Sequence, residues 1–218
     1  MMRANDDSWD LRGGVGATAT MAAAARAVAS RSPDPVIDDP FAEVLVRALG
    51  MKIFTQIVDG IIEFAEIGTE WFPHYFGVRC RAFDYFLAEA CRVGIRQAVI
   101  LASGLDCRAY RLDWPNAMSI YEIDQPEIID WKKHLLASLR CTSAAQHRCL
   151  GIDLRLDWAT TLRQAGFDDA KPTAWIAEGL LIGYLPPSAQ DEVLDGVIAL
   201  SASGSRIAAD YSMAGGPT

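Results

Sequence analysis

Short apolar runs recur from residue 79 onward, and this recurrence constrains the fold more than any other feature of the sequence. Each run is short enough for a buried strand and is separated from the next by residues with helical spacing. Strands that alternate with helices predict a parallel sheet with helices on both faces. We therefore expect an α/β fold with a doubly wound parallel sheet. The predicted strands are 98–102, 120–124, 149–152, 174–177 and 206–209.

The first 78 residues differ from the rest because they contain helical segments and no clear strand. The helical segments are separated by breakers such as 32–35 and Gly50. Asp38 or Asp39 before Pro40 is typical of a helix N-cap followed by proline at the first helical position. We expect an N-terminal helical cap over 1–78 and a sheet-containing core over 79–218, within one structural domain.

The composition of the chain limits the classes of function. The 218 residues, 51% of them hydrophobic, suffice for the core of one domain. The net charge of −8, without a run of Lys or Arg, argues against nucleic acid as a partner. The five cysteines are odd in number and form no C-x-x-C, so neither a disulfide framework nor a metal site is expected.

The alanine-rich stretch 17–29 could be mistaken for a signal peptide. Acidic residues precede it where a signal needs positive charge, and Arg26 interrupts it, so an ordinary helix is the better prediction. The chain has no window of about 18 uncharged apolar residues, and we expect no membrane association. The predicted location is the cytoplasm.

Acidic residues recur at or just after the ends of the predicted strands. In doubly wound sheets, ligands bind beyond the carboxyl ends of the strands. A single carboxylate at such a point can equally form a turn or cap a helix. Recurrence at successive strands favours a common ligand. The four residues are Asp106, Asp124, Asp153 and Glu178.

Gly104 and Asp124 have a spacing that indicates the kind of ligand. Asp124 follows Gly104 by 20 residues, the separation expected between a glycine turn and an acid that binds ribose hydroxyls. The complete G-x-G-x-x-G pattern is absent, which disfavours the pyrophosphate of NAD or FAD. S-adenosyl-L-methionine has no phosphate and tolerates a turn with one glycine, so it is the preferred cofactor.

Four segments in order resemble the motifs of a family of S-adenosyl-L-methionine-dependent methyltransferases related to the leucine carboxyl methyltransferases. The resemblance covers roughly residues 15–211 and implies a Rossmann-like fold. Its segments are 96–112 (RQAVILASGLDCRAYRL), 121–126 (YEIDQP), 153–155 with Trp158, and 172–181 with 184–186.

The resemblance also implies roles for six residues. Asp124 would bind the ribose, Asp153 the adenine amino group, and Leu154 would pack on the adenine ring or bind it through its backbone. Gly104 would line the methionine part of the cofactor, and Glu178 would lie near the methionyl amino group. The methionyl carboxylate is assigned to Arg79, with Arg81 as the alternative; either arginine could instead pair with a surface acid such as Asp84.

No catalytic residue can be assigned from the sequence. The sulfonium already activates the methyl group, so the protein mainly positions an acceptor. A carboxylate acceptor needs no general base, whereas a hydroxyl acceptor does. His74 and Tyr184 are candidates for that base, and a structural role is the simpler interpretation for both.

The C-terminal part departs from the family pattern. Methyltransferases of this fold usually add two strands after the fifth, and the chain ends before them. We expect an exposed edge at the fifth strand, which a second copy could cover in a homo-oligomer. A short natural product, a fragment of a longer chain and completion by a partner chain remain as explanations.

The predicted function is S-adenosyl-L-methionine-dependent O-methylation of a small carboxylate or hydroxyl acceptor. One alternative is a non-catalytic remnant that folds poorly or binds the cofactor without turnover. Another is a nicotinamide-dependent oxidoreductase, which the single-glycine turn disfavours.

Overall fold

The chain forms a five-stranded parallel sheet flanked by helices. The structure is a computed structural model that describes residues 14–182 and 185–211. The strand order is β3-β2-β1-β4-β5, and all paired strands are parallel. This topology confirms the predicted Rossmann-like α/β fold. The strands are β1 (Gln97–Leu101), β2 (Ser119–Asp124), β3 (Gln146–Gly151), β4 (Ala174–Leu181) and β5 (Arg206–Tyr211).

Eight α-helices in the described residues surround the sheet and build the N-terminal region. A 3₁₀ turn at Phe64–Ile67 lies between the third and fourth of them. The helices are α1 (Gly14–Ser30), α2 (Ala42–Leu49), α3 (Lys52–Val58), α4 (Phe72–Arg92), α5 (Arg108–Arg111), α6 (Pro126–Ser138), α7 (Trp158–Gln164) and α8 (Pro187–Ala199).

Burial explains why β1 lies at the centre of the sheet. All five residues of β1 are buried, whereas β3 and β5 at the edges are largely half-buried or exposed. A strand covered on both faces must be apolar throughout, as QAVIL nearly is. The carboxyl ends of β1, β2 and β4 therefore lie side by side at the centre of the sheet, where a doubly wound fold binds its ligands.

The alanine-rich helix α1 forms the centre of the N-terminal region. Ala23, Ala24 and Ala25 have no exposed surface, and they share a core with Leu45 of α2 and Phe76 of α4. Small side chains let the neighbouring helices approach α1 closely. Helix α4 continues across residues 78 and 79, so the predicted limit between cap and core falls inside one helix.

Strands β3 and β4 are longer than the sequence predicts. β3 begins at Gln146 rather than Cys149, because polar residues at an edge weaken the apolar signal without preventing pairing to β2. β4 continues to Leu181, and Leu181 pairs with Tyr211 after an irregularity in register. Glu178 therefore lies within β4 and not after the strand as predicted.

The predicted helix caps have different outcomes. Asp157 caps α7 as predicted, since its carboxylate accepts from the Thr160 amide at 3.0 Å. The capping box predicted from Ser188 and Asp191 is wrong, because α8 already begins at Pro187 and has no side-chain cap. Asp39 accepts from the first amides of α2, including that of Ala42 at 3.1 Å, although the helix begins after Pro40.

No helix among the described residues combines the length and apolar character needed to cross a membrane.

Candidate active site

A cavity of about 480 Å³ opens at the carboxyl ends of β1, β2 and β4. Its volume suits a small ligand or cofactor. Helices α1 and α4 contribute the wall opposite the sheet. Four of the six predicted cofactor residues line it: Arg79, Gly104, Asp124 and Glu178.

The turn after β1 is bound to the end of β2 through Asp124. The Gly104 amide donates to Asp124 Oδ2 at 2.5 Å, and the Gln125 amide donates to Oδ1 at 2.7 Å. Gly104 has φ +46°, a left-handed conformation that favours glycine. The 20-residue spacing therefore corresponds to a direct contact between the glycine turn and the acid, inside the cavity.

Asp124 is 9% exposed, and its carboxylate accepts from two backbone amides, with no cation of the described residues at hydrogen-bonding distance. Burial raises the pKa of this carboxyl, and the amide of Gly104 offsets part of the increase. A carboxylate has about four lone-pair sites, and the two amides use one on each oxygen. The remaining acceptor capacity fits the two hydroxyl donors of a ribose diol.

Opposite charges meet at the other end of the cavity. Arg79 Nε donates to Asp210 Oδ2 at 2.6 Å, and Arg79 Nη1 lies 3.4 Å from Glu178 Oε1. Asp210 also accepts from the Gly179 amide at 2.6 Å. Gly179 has φ +75°, and a Cβ there would lie 3.0 Å from the Arg79 guanidinium. This glycine therefore turns the β4 backbone toward Asp210 and leaves room for the arginine.

Arg81 does not compete with Arg79 for the predicted role. Arg81 is exposed and donates to the Val36 carbonyl at 3.0 Å, and it is not among the residues that line the cavity. Arg79 is the one of the two that reaches the ligand space.

Arg108 is a cavity residue to which the sequence analysis gave no role. Its side chain is 3% exposed and lies 2.6 Å from Asp84 Oδ1 and 2.6 Å from Glu178 Oε2, and it also pairs with Asp106. Burial alone would raise the pKa of the Asp106 carboxyl, but the Arg108 guanidinium and backbone amide, with smaller contributions from Lys132 and Arg111, together hold that pKa below its ordinary value. Arg108 therefore fixes the position of Glu178 and neutralises the base of the cavity.

Arg26 is a second missed residue. Arg26 Nε donates to Asp39 at 2.9 Å, and Nη2 donates to the Leu105 carbonyl at 2.9 Å, which ties helix α1 to the turn after β1. The signal was present in the sequence, because Arg26 is the single charge in the alanine-rich stretch 17–29. A charge at the centre of a buried helix requires a partner.

Asp153 and Leu154 lie outside the residues that line the cavity. Asp153 follows β3 by two residues and pairs with Arg155 at 2.6 Å. Leu154 is 8% exposed and packs in the core with Trp158. The Ile152 amide donates to the Asp124 carbonyl at 2.8 Å, so this segment adjoins the ribose candidate without opening into the same space.

Of the two candidates for a general base, the structure describes only His74. His74 is exposed and is not a lining residue. Tyr184 and its neighbour Gly183 lie outside the described residues. Cys80 lines the cavity, but burial raises the pKa of its thiol to about 11, so it stays protonated at neutral pH.

Comparison with known proteins identifies the family. The sequence model of the leucine carboxyl methyltransferase family matches residues 19–198. A Mycobacterium marinum protein named "Putative S-adenosyl-L-methionine-dependent methyltransferase" is 54% identical over 220 residues, which cover 99% of this chain and 72% of that protein. A protein of the same name from Mycolicibacterium gilvum is 54% identical over 96% of this chain and 71% of its own length.

Two solved structures are more distant. A methyltransferase structure from Thermobifida fusca has 18% identity and a TM-score of 0.45, over 85% of this chain and 64% of that one. A calicheamicin methyltransferase has 12% identity and a TM-score of 0.40, over 95% of this chain and 84% of that one.

The family match extends from helix α1 to helix α8 and so includes most of the residues that line the cavity and every strand but β5. It confirms the predicted cofactor class and favours methyl transfer over the nicotinamide-dependent alternative. This chain belongs to the leucine carboxyl methyltransferase family and is an S-adenosyl-L-methionine-dependent methyltransferase.

Proposed function

We propose that this protein transfers a methyl group to an oxygen of a small acceptor, and that the acceptor oxygen belongs to a carboxylate rather than a hydroxyl. The observation that carries the cofactor site is the contact between the Gly104 amide and Asp124 inside the cavity. It places a buried carboxylate with free acceptor capacity beside a turn that a ligand can approach closely.

The residues of the cavity fit S-adenosyl-L-methionine at both ends. Asp124 would accept hydrogen bonds from the two ribose hydroxyls. At the other end, the cofactor's amino acid group carries one positive and one negative charge, which match Glu178 and Arg79. When bound, the cofactor supplies an electrophilic methyl group on a sulfonium.

The segment that follows β3 would bind the adenine. Asp153 and Leu154 follow β3 and adjoin Asp124 through the Ile152 amide. An adenine ring that continues from a ribose at Asp124 would extend toward this segment. Asp153 would then exchange part of its ion pair with Arg155 for the adenine amino group.

The preference for a carboxylate acceptor rests on the groups in the described part of the cavity, where the acids other than Asp124 each pair with an arginine. No histidine is among the described residues that line the cavity. The Cys80 thiol, with its pKa near 11, holds its proton at neutral pH. A carboxylate acceptor is already ionised and needs only alignment with the methyl group, whereas a hydroxyl acceptor must lose a proton. Phe76, Leu180 and Ile182 provide apolar surface to hold such an acceptor.

The test uses S-adenosyl-L-methionine with an isotope-labelled methyl group and a panel of small carboxylic acids, phenols and alcohols. We expect label to appear in a product that releases methanol in mild base, as a methyl ester does and a methyl ether does not. A base-stable product would contradict the carboxylate acceptor and indicate a hydroxyl acceptor instead. Cofactor binding with no turnover across the panel would favour the non-catalytic alternative, and no binding by cooperatively folded protein would refute the site.

The same proposal includes a reducing, cytoplasmic environment. All five cysteines are free thiols, and Cys80 and Cys107 are buried. Mass spectrometry of protein alkylated without reductant should find five modifiable thiols after unfolding.

A further inference from the structure

Strands β2 and β3 bring three metal-ligating side chains together outside the residues that line the cavity, so neither the cofactor nor the acceptor explains them. Glu122 of β2 pairs in register with Cys149 of β3, and Ile120 pairs with His147. His147 and Cys149 are two residues apart, so their side chains point to the same face of the sheet. The cluster is thus a carboxylate, an imidazole and a thiol on adjacent strands.

The ligand atoms have the separations of a metal site. His147 Nε2 lies 3.1 Å from Glu122 Oε1 and 3.4 Å from Cys149 Sγ, and the three ligand atoms lie within 4.8 Å of one another. Tetrahedral zinc with bonds of about 2.0–2.3 Å holds its ligand atoms roughly 3.3–3.8 Å apart. Small side-chain rotations therefore suffice to place one ion among the three.

Glu122 is the buried member of the cluster. Its side chain has no exposed surface, and its two oxygens face Lys132 and His147. Buried carboxylates are costly unless they are paired, hydrogen-bonded or bound to a metal. Lys132 Nζ lies 2.5 Å from Oε2, which leaves Oε1 directed at His147.

Lys132 completes the surroundings of the cluster. Its ammonium also lies 3.3 Å from Ser103 Oγ and donates to the Asp106 carbonyl at 2.9 Å, so it is held in place and fixes the orientation of Glu122. The His147 side chain is 9% exposed and Cys149 is half-buried, and both lie on edge strand β3, the side from which an ion would enter.

We propose that this cluster binds one zinc ion through Glu122 Oε1, His147 Nε2 and Cys149 Sγ, with the fourth position open to solvent. A mixed set of oxygen, nitrogen and sulfur ligands suits zinc, a borderline-soft ion without a strong geometric preference. Binding releases the thiol proton, and any proton on the imidazole, to solvent. The ion ties edge strand β3 to β2, separate from the methyl-transfer site.

The experiment uses the full chain without an affinity tag of histidines. Zinc chloride is titrated by calorimetry, and cobalt(II) chloride is titrated by absorbance, because a sulfur-to-cobalt charge-transfer band appears only when a thiolate binds. The test variants are Cys149→Ser and His147→Gln. The matched controls are Cys141→Ser and His134→Gln, which change the same residue types outside the cluster.

We expect one zinc per native chain, a thiolate–cobalt band, and a zinc-dependent rise in the unfolding temperature. Cys149→Ser should lose the band, His147→Gln should lose one-to-one binding, and both controls should keep both signals. Circular dichroism establishes that each variant is folded. No binding by folded native protein, a band that persists in Cys149→Ser, or binding that persists in folded His147→Gln would each overturn the site.

Discussion

Replacing Asp124 by asparagine tests the ribose end of the cofactor site with the smallest change of shape. The two carboxylate oxygens accept from the Gly104 and Gln125 amides. An asparagine has one acceptor oxygen, so its NH₂ must face one of these donors or the ribose. The lost charge-assisted bond to the ribose is worth about 1.5–3 kcal/mol. With one hydrogen bond to the ribose lost and the other weakened, we expect the cofactor to lose about 3 kcal/mol of binding free energy, which is a rise in Kd of roughly 150-fold.

Calorimetry with two ligands separates this effect from damage elsewhere. S-adenosyl-L-methionine and adenosine share the ribose, so Asp124→Asn should weaken both by a similar factor. Glu178→Gln should weaken only the former, because adenosine has no methionyl group. Asp130→Asn, an exposed acid on α6, is the matched control. A folded Asp124→Asn protein that binds both ligands within about threefold of the native Kd would refute the assignment, since one charged hydrogen bond exceeds that factor.

Three further changes test the charges and the sheet edge. Arg108→Met leaves buried acids unpaired and should lower the free energy of unfolding by about 3–5 kcal/mol in urea titration, whereas exposed Arg92→Met should change it by less than about 0.5 kcal/mol; similar losses would refute the buried network. Asp106 has a lowered pKa in the folded protein, so its contribution to stability is complete above pH 3.8 and is lost as the pH falls through the pKa of the folded state. Asp106→Asn should therefore be less stable at neutral pH, and its free energy of unfolding should fall less steeply in acid. An unchanged dependence of that free energy on pH would contradict this. We propose that any homo-oligomer forms through β5, so Ile207→Lys should shift light-scattering masses toward the monomer, and an unchanged oligomer would exclude that edge.

The sequence predicts the centre of the sheet and the pairing of Gly104 with Asp124 because both depend on local regularities. β1 is apolar at nearly every position, and the 20 residues from Gly104 to Asp124 contain a turn, the short helix α5 and strand β2. The strand containing Glu178 was predicted too short because Gly179 reads as a stop. In the structure, that glycine only bends β4, which continues through its pairing with β5.

The arginines were missed because their roles depend on partners far away in sequence. Arg108 meets Glu178 across 70 residues, and Arg26 meets Leu105 across 79. No local pattern encodes such a pair. A buried arginine in an apolar helix indicates that a partner exists, as with Arg26, but it does not say where the partner lies.

The same reason explains why cysteine spacing does not indicate the proposed zinc cluster. That expectation rested on the missing C-x-x-C, a pattern for ligands supplied by one turn. His147 and Cys149 are separated by one residue on a strand, and Glu122 is supplied by the neighbouring strand through the parallel register. Sheet register cannot be read from the spacing of cysteines alone.

The two ends of the cavity differ in the binding free energy that a cofactor would gain at each. Glu178 already lies 2.6 Å from Arg108 and 3.4 Å from Arg79, so a ligand ammonium must share a carboxylate that two guanidinium groups hold. The exchange of one ion pair for another returns little net free energy. Among the described residues, Asp124 accepts from two backbone amides and forms no ion pair, so it can accept new hydrogen bonds without giving one up. The adenosine end should therefore supply most of the affinity, while the charged end mainly fixes the direction of the methyl group.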